Sequence, residues 1–136
     1  MEPIKIIIPG EPCGKGRPRF RRDGSPYTPE KTANYETLVK WKYQQAAHGA
    51  SFGDAPVEMV VCAYFKIPTS ASKSKREQMR GRLLLPTKKP DADNILKIIA
   101  DALNGIAYHD DAQIVHADVY KCYSEEPRVE VAIWEV

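Results

Sequence analysis

The chain has 136 residues, of which 43% are hydrophobic and 28% charged, and its formal net charge is +2. This balance is typical of a globular domain and excludes collagen-like and intrinsically disordered proteins. No apolar run is long enough to cross a bilayer and no signal-peptide core follows Met1, so we expect one domain over residues 1–136, located in the cytoplasm. Three widely spaced cysteines fit neither a disulfide framework nor a zinc site and are expected to be reduced thiols, mostly buried.

The two parts of the chain carry opposite net charge. Residues 1–90 hold 17 Lys and Arg against 8 Asp and Glu, whereas residues 91–136 hold 3 against 10. This asymmetry favours a polyanionic partner for the first part and carboxylate chemistry in the second. The alternative is ordinary surface charge of both signs, because an uneven distribution is common in small domains.

The first third of the chain predicts a strand, a long loop and a helix. Alternating isoleucines predict a strand over residues 3–8, and a loop over residues 9–29 follows that is longer than most structureless connections. Thr28 as N-cap and Pro29 as first helical residue predict a helix from Pro29 to Ala47. The expected apolar side of this helix carries Tyr35, Leu38, Val39 and Ala46.

The middle of the chain predicts a strand and two helices. Apolar residues alternate from Val57 to Phe65, which is typical of a strand with one buried face. A short surface helix is expected over Lys73–Arg80. Beyond Pro90, apolar residues recur at spacings of three and four until Asn104 and Gly105 provide a stop. These apolar positions are Ile95, Ile98, Ile99, Ala102, Leu103 and Ile106.

Two further strands complete the predicted order. Apolar and polar residues alternate over residues 113–123 and 128–135, and the short linker between them predicts an antiparallel hairpin. Together the elements predict an α+β fold, with a mixed, mostly antiparallel four-stranded sheet and helices packed on one face.

Acidic residues cluster around the isoleucine-rich helix. The cluster, with one lysine, comprises Asp91, Asp93, Lys97, Asp101, Asp110 and Asp111. Asp93, Lys97 and Asp101 follow at spacings of four along the polar side of the helix. A turn after the helix could bring Asp110 and Asp111 back toward them. Carboxylates that meet repel each other unless a cation is bound, and oxygen ligands without cysteine favour Mg²⁺ or Mn²⁺. A phosphodiester is then the natural substrate.

Each of these residues also has a purely structural explanation. Asp91 or Asp93 could cap the helix, Lys97 could form an i,i+4 ion pair, and the later acids could be turn residues. Capping explains one of the first two aspartates but not both. We therefore favour the metal site for the group as a whole.

Two basic tracts precede the acids. The first lies in the long loop, with Phe20 and Tyr27 among its arginines, a composition suited to phosphate contacts and base stacking. The second lies within residues 73–89 and ends directly before Asp91. The residues expected to bind DNA are Lys15, Arg17, Arg19, Arg21, Arg22, Lys88 and Lys89. The alternative is a solubilising loop beside a charged surface helix.

Two segments resemble a known protein family. Residues 89–114, KPDADNILKIIADALNGIAYHDDAQI, are similar to the signature of the RusA family of Holliday junction resolvases, and residues 14–36, GKGRPRFRRDGSPYTPEKTANYE, resemble its N-terminal segment. The resemblance implies a homodimer that nicks opposed strands of a four-way DNA junction in pairs. It also implies Asp91, Asp93 and Asp111 as metal ligands and Lys97 as the catalytic lysine, although the adjacent Asp110 leaves open which member of that pair reaches the metal.

Other functions remain compatible with the sequence. One is a non-catalytic basic DNA- or RNA-binding protein, which would show no metal dependence. Another is a nuclease of flaps or other branched DNA. Symmetric cleavage of two strands by one small domain requires two copies related by a twofold axis. Apolar side chains on a strand face not covered by helices, such as Trp134, are candidates for that interface.

Overall fold

The computed structural model describes residues 2–136 and contains one four-stranded mixed sheet and one small two-stranded sheet. In chain order the elements are β1 (Ile4–Pro9), β2 (Arg19–Phe20), β3 (Pro26–Tyr27), α1 (Glu30–Ala47), β4 (Val57–Lys66), α2 (Lys73–Arg80), α3 (Ala92–Ala102), a 3-10 turn (Asp111–Gln113), β5 (Ile114–Ser124) and β6 (Arg128–Glu135). The main sheet has the order β1-β6-β4-β5, with one parallel pair, β4 and β5. The predicted α+β class is confirmed.

β4 lies at the centre of the packing. Its residues alternate between buried and half-buried from Val57 to Phe65, which places one apolar face toward the helices. α1 contacts both β1 and α3, and α3 also contacts β5. The side chains of Ile95, Ile98 and Ile99 have no exposed surface, as the helical spacing predicts. The core therefore lies between the sheet and the α1–α3 pair.

The predicted hairpin between the last two strands is wrong. β6 pairs antiparallel with β1 on one side and with β4 on the other, while β5 pairs parallel with the far edge of β4. β4 thus separates the two strands. Strands in a sheet are about 4.8 Å apart, so a linker of a few residues, each spanning roughly 3.3 Å, is long enough to pass the end of one intervening strand. Linker length alone therefore did not determine which strands pair.

The segment between β1 and α1 differs from the predicted loop. It contains the small hairpin of β2 and β3, in which Arg19 pairs with Tyr27. α1 begins at Glu30, with Pro29 as an N-cap residue whose backbone is extended, and Thr28 has no capping role. On α1, Ala46 is exposed and the buried residues are Thr32, Val39, Tyr43 and Ala47.

The three cysteines are unpaired; Cys13 and Cys122 are buried and Cys62 is half-buried, as expected. Among residues 2–136, the helices are all too short or too polar to cross a membrane.

Ile98→Ala tests the packing of α3. The side chain is fully buried, so its removal leaves a cavity, and we expect the free energy of unfolding to fall by about 2–5 kcal/mol in urea denaturation. Leu83→Ala is the matched control because Leu83 is 79% exposed, and we expect a change within about 0.5 kcal/mol. Similar losses in the two variants would contradict this packing.

Candidate active site

An open cavity of about 410 Å³ lies between α3 and the start of β5. Asp93, Lys97 and Asp101 line it from α3, and Asp111 lines it from the 3-10 turn. The structure therefore brings together three of the four residues to which the sequence assigns catalysis, Asp93, Lys97 and Asp111. Leu96, Ile114 and other apolar side chains complete the wall.

The amphipathic character of α3 explains this arrangement. Residues four apart on a helix lie on one face, so burial of the isoleucines turns Asp93, Lys97 and Asp101 outward together. The acid pair after the helix returns to the same place because the 3-10 turn follows closely. A parallel β-bridge between Asn104 and Tyr108 closes the connection, and the Tyr108 hydroxyl donates to the Ala100 carbonyl at 2.7 Å.

Asp110 and Asp111 have different roles in the turn. The Asp110 carboxylate accepts a hydrogen bond from the Ala112 backbone N–H at 3.0 Å and caps the 3-10 turn. The Gln113 side chain accepts from the Asp110 backbone N–H at 2.8 Å and completes a capping box. Asp111 is the member of the pair that lines the cavity.

Two side-chain amides hold this turn in place. Asn104 accepts from the Asp111 backbone N–H at 2.8 Å and donates to its carboxylate at 3.5 Å. Gln113 donates to the carbonyls of Gly53 at 2.7 Å and Ala55 at 2.9 Å, which ties the turn to the segment before β4. The position of Asp111 is thus fixed from both sides.

The Asp111 carboxyl is electrostatically crowded. Burial, together with the neighbouring acids Asp101 and Asp110, raises its pKa above the ordinary value, although Asn104 acts in the opposite direction. Asp101 in turn lies 3.3 Å from the Lys15 ammonium, which is also 3.0 Å from Glu36. A lysine expected to contact DNA therefore pairs with an acid of the site.

Asp91 does not line this cavity. It is the N-cap residue of α3 by its backbone, but its side chain makes no capping hydrogen bond. It lines a second groove, of about 750 Å³, together with Asn94 and Lys89. In the part of the chain that the structure describes, no three His, Cys, Asp or Glu side chains form a ready-made metal site. The ligand set of Asp91, Asp93 and Asp111 stays a prediction.

The second groove leads from the β2–β3 hairpin to the start of α3. Arg17, Arg19 and Lys31 line its far end, and Lys89 and Asp91 lie at the near end. Arg17, Arg19, Arg21, Arg22, Lys88 and Lys89, the other residues expected to bind DNA, are all exposed. Within the second basic tract, Arg76 and Arg80 pair instead with Glu125.

Several residues of the site were not predicted from the sequence. Glu36 is 21 positions from Lys15, so no local pattern signals the contact. Gln113 had a usable signal, because Asp110 and Gln113 have the spacing of a capping box.

The pairing of β4 with β5 shifts by one residue at Val115, and both Val115 and His116 line the cavity. His109 pairs with Asp54 and does not line the cavity.

Asp111→Asn tests the crowding of this carboxyl. A raised pKa means that the ionised form is disfavoured in the folded state, so the variant should unfold at higher urea concentration than the wild type at pH 7 in EDTA. The gain should shrink as the pH falls through the raised pKa, and vanish below the unfolded value of 3.8, where the carboxyl is neutral in both states. A variant less stable than wild type at pH 7 would contradict the crowding.

The chain is similar to known proteins over most of its length. The sequence profile described as Endodeoxyribonuclease RusA matches residues 9–134. The uncharacterised protein YqaN of Bacillus subtilis (strain 168) is 42% identical over 141 residues, covering 100% of this chain and 99% of the relative. The crossover junction endodeoxyribonuclease rusA of Lactococcus phage r1t is 39% identical over 51 residues, 37% of this chain and 39% of that protein. These matches indicate an endodeoxyribonuclease, and the chain belongs to the RusA family.

Proposed function

We propose that this protein is a Mg²⁺-dependent endodeoxyribonuclease that resolves four-way (Holliday) DNA junctions by paired nicks, with Mn²⁺ as a possible substitute ion. The observation that carries the proposal is the cavity in which Asp93, Lys97 and Asp111 meet in a chain of the RusA family. A protein that only binds DNA has no need to hold acids together beside a polyanion. We expect it to act on DNA in the cytoplasm.

The residues of the site fit a hard divalent cation. Their donors are carboxylate oxygens, which Mg²⁺ prefers. The pKa of Asp111 is raised by burial and by neighbouring acids, and a bound cation would relieve that crowding. Asp91 and Asp93 are exposed, so their side chains can turn toward an ion without disturbing the core. Asp91, Asp93 and Asp111 would hold the ion.

The chain's own residues then have distinct tasks. A bound Mg²⁺ would supply Lewis-acid chemistry, lowering the pKa of water and offsetting charge on the phosphate. Lys97 lies in the same cavity and can pair with the scissile phosphate, which would draw the strand to the acids. Asn104 and Gln113 keep the turn that carries Asp111 in a fixed position.

The basic groove provides a path for the DNA backbone. Arginines and lysines on its walls suit phosphate contacts, which give affinity without sequence preference. At its far end the hairpin carries Phe20, which is 71% exposed, and Arg21, whose guanidinium lies 5.0 Å from the centre of the Tyr27 ring. An exposed aromatic ring among arginines can stack on a base at a branch point, where the continuous stacking of the duplex is interrupted. Such bases are absent from continuous duplex.

We further propose that two copies associate through the sheet face opposite α1 and α3. Ile7 is 56% exposed there, and its cross-strand neighbour on β6 is Glu130. Trp134 is half-buried on β6, with its indole N–H donating to Glu58 at 2.8 Å. A twofold pair of these faces would place two acid cavities in one particle, as symmetric nicking requires.

Asp111→Asn and Asp110→Asn separate the two acids of the turn. We expect Asp111→Asn to lower junction cleavage in Mg²⁺ at least about 100-fold, because even groups that only orient a metal ligand are worth about 10- to 100-fold. Asp110→Asn should cleave at the wild-type rate, since asparagine caps as well as aspartate. The measurement is single-turnover cleavage of a synthetic four-way junction, with binding followed separately.

Either of two outcomes would contradict the assignment of Asp111. One is full cleavage by Asp111→Asn, and the other is an equal loss in both variants.

Asp93→Asn should likewise lose cleavage while junction binding stays intact or tightens, because a repulsive charge beside phosphate is removed. Wild-type protein that cleaves equally well in EDTA would disprove the metal dependence, and a preference for flaps over junctions in direct competition would change the substrate.

Ile7→Arg tests the proposed dimer face. Placing two arginines across a twofold interface should shift the protein from dimer to monomer in analytical ultracentrifugation at micromolar concentration. On a junction, the variant should make single nicks and lose paired nicks within one binding event. Trp41→Arg is the control, because Trp41 is similarly exposed, at 55%, on α1. A wild-type protein that sediments as a monomer would disprove the proposal.

A further inference from the structure

Lys15 occupies a different environment from the arginines that follow it in the basic segment. Its side chain is 22% exposed, whereas Arg17 and Arg22 are exposed. The ammonium lies 3.0 Å from the Glu36 carboxylate on α1 and 3.3 Å from the Asp101 carboxylate on α3. A lysine whose ammonium pairs with carboxylates on two helices is not positioned to contact DNA phosphates.

The backbone around Lys15 is also fixed. The Lys15 N–H donates to the Asn94 carbonyl at 3.3 Å, and the Gly16 N–H donates to the Thr32 hydroxyl at 3.1 Å. A Cβ atom added at Gly14 would lie only 2.9 Å from Pro90, and one at Gly16 only 2.6 Å from the Thr32 hydroxyl. The two glycines thus allow the segment to pack closely against the starts of α1 and α3, so the lysine enters between the helices in one position.

Asp101 connects this bridge to the acid cavity. It lines the cavity with Asp93, Lys97 and Asp111, and its carboxyl neighbours that of Asp111. Two adjacent carboxylates repel each other, and they can stay together when a cation balances one of them. The Lys15 ammonium can balance the charge of Asp101, because it lies between the Asp101 carboxylate and the Glu36 carboxylate of α1. Burial disfavours its charged form, but hydrogen bonds to Glu36 and Asp101 outweigh burial and hold its pKa above the ordinary value.

We propose that Lys15 is a positioning residue of the nuclease site and not a DNA contact: it balances the charge of Asp101 and thereby keeps the Asp111 carboxylate directed into the cavity. The inference rests on the proposed function, because its readout is cleavage. It also divides the basic segment between two tasks, with Lys15 serving the acids and the exposed arginines serving DNA.

Lys15→Met and Arg22→Met form a matched pair, because each removes one positive charge from the same segment. For Lys15→Met we expect single-turnover cleavage at saturating enzyme to fall about tenfold, equivalent to roughly 1.4 kcal/mol in the barrier. Its junction Kd in EDTA, and the dependence of that Kd on salt, should match the wild type. Arg22→Met should instead bind more weakly, with a salt slope smaller by about 0.9.

A second comparison separates positioning from a general structural role. In an Asp101→Asn background no charge on Asp101 needs balancing, so Lys15→Met should cause little further loss of rate. A tenfold loss in that background as well would overturn the proposal. Lys15→Arg keeps the charge and should recover most of the rate. If Lys15→Met does not fold, judged by circular dichroism, Lys15→Gln keeps a polar group between the carboxylates and is tested in the same way.

The outcomes distinguish this inference from the proposed function. If the wild type cleaves junctions but Lys15→Met shows weaker binding, a smaller salt slope and a full rate at saturation, Lys15 is a DNA contact and only the inference fails. If the wild type does not cleave any branched DNA, the proposed function fails and the inference fails with it.

Discussion

Burial of one side of α3 determines where the acids of this protein lie. Ile95, Ile98 and Ile99 have no exposed surface, and a rotation of the helix by one residue, about 100°, would bring apolar side chains into water. The polar side of the helix therefore has one available orientation, toward the start of β5. Packing in the core and the geometry of the cavity are two results of the same sequence pattern.

The acids stay together against their mutual repulsion because neutral groups hold the backbone that carries them. Asn104 binds both the backbone and the carboxylate of Asp111, and Gln113 accepts from Asp110 and donates both amide hydrogens to Gly53 and Ala55. These amides add no charge to the cavity. Their hydrogen bonds stabilise the fold and so offset the free-energy cost of holding carboxylates close together. Such crowding of charged groups is common in catalytic sites.

Much of this arrangement could be predicted because it follows from local patterns. The isoleucine spacing of α3, the alternation of β4 and the spacing of Asp93 and Lys97 are properties of short segments, and the structure has them as expected. Asp110 and Asp111 also differ by a local pattern, because Asp110 and Gln113 have the spacing of a capping box, although the acid that reaches the metal was left open.

The features that could not be predicted are long-range. β5 and β6 are separated by only a short linker, yet they do not pair with each other, and each pairs with β4, more than fifty residues earlier. Glu36 and Asp101 meet at Lys15 although they lie on different helices, and neither position carries a pattern that indicates the other. Only the packing of the whole sheet brings these segments together.

The position of β6 has a consequence for how the chain acquires its fold. β1 has a single partner in the main sheet, and the register joins Ile4 to Ile133 and Pro9 to Arg128. A nascent chain on the ribosome therefore cannot attach its first strand until residues 128–135 have emerged, and the entropy of closing that large loop must be overcome before the pairing contributes stability. We expect assembly of the sheet to be a late step, during which the exposed edges of β1 and β4 would be open to chaperones.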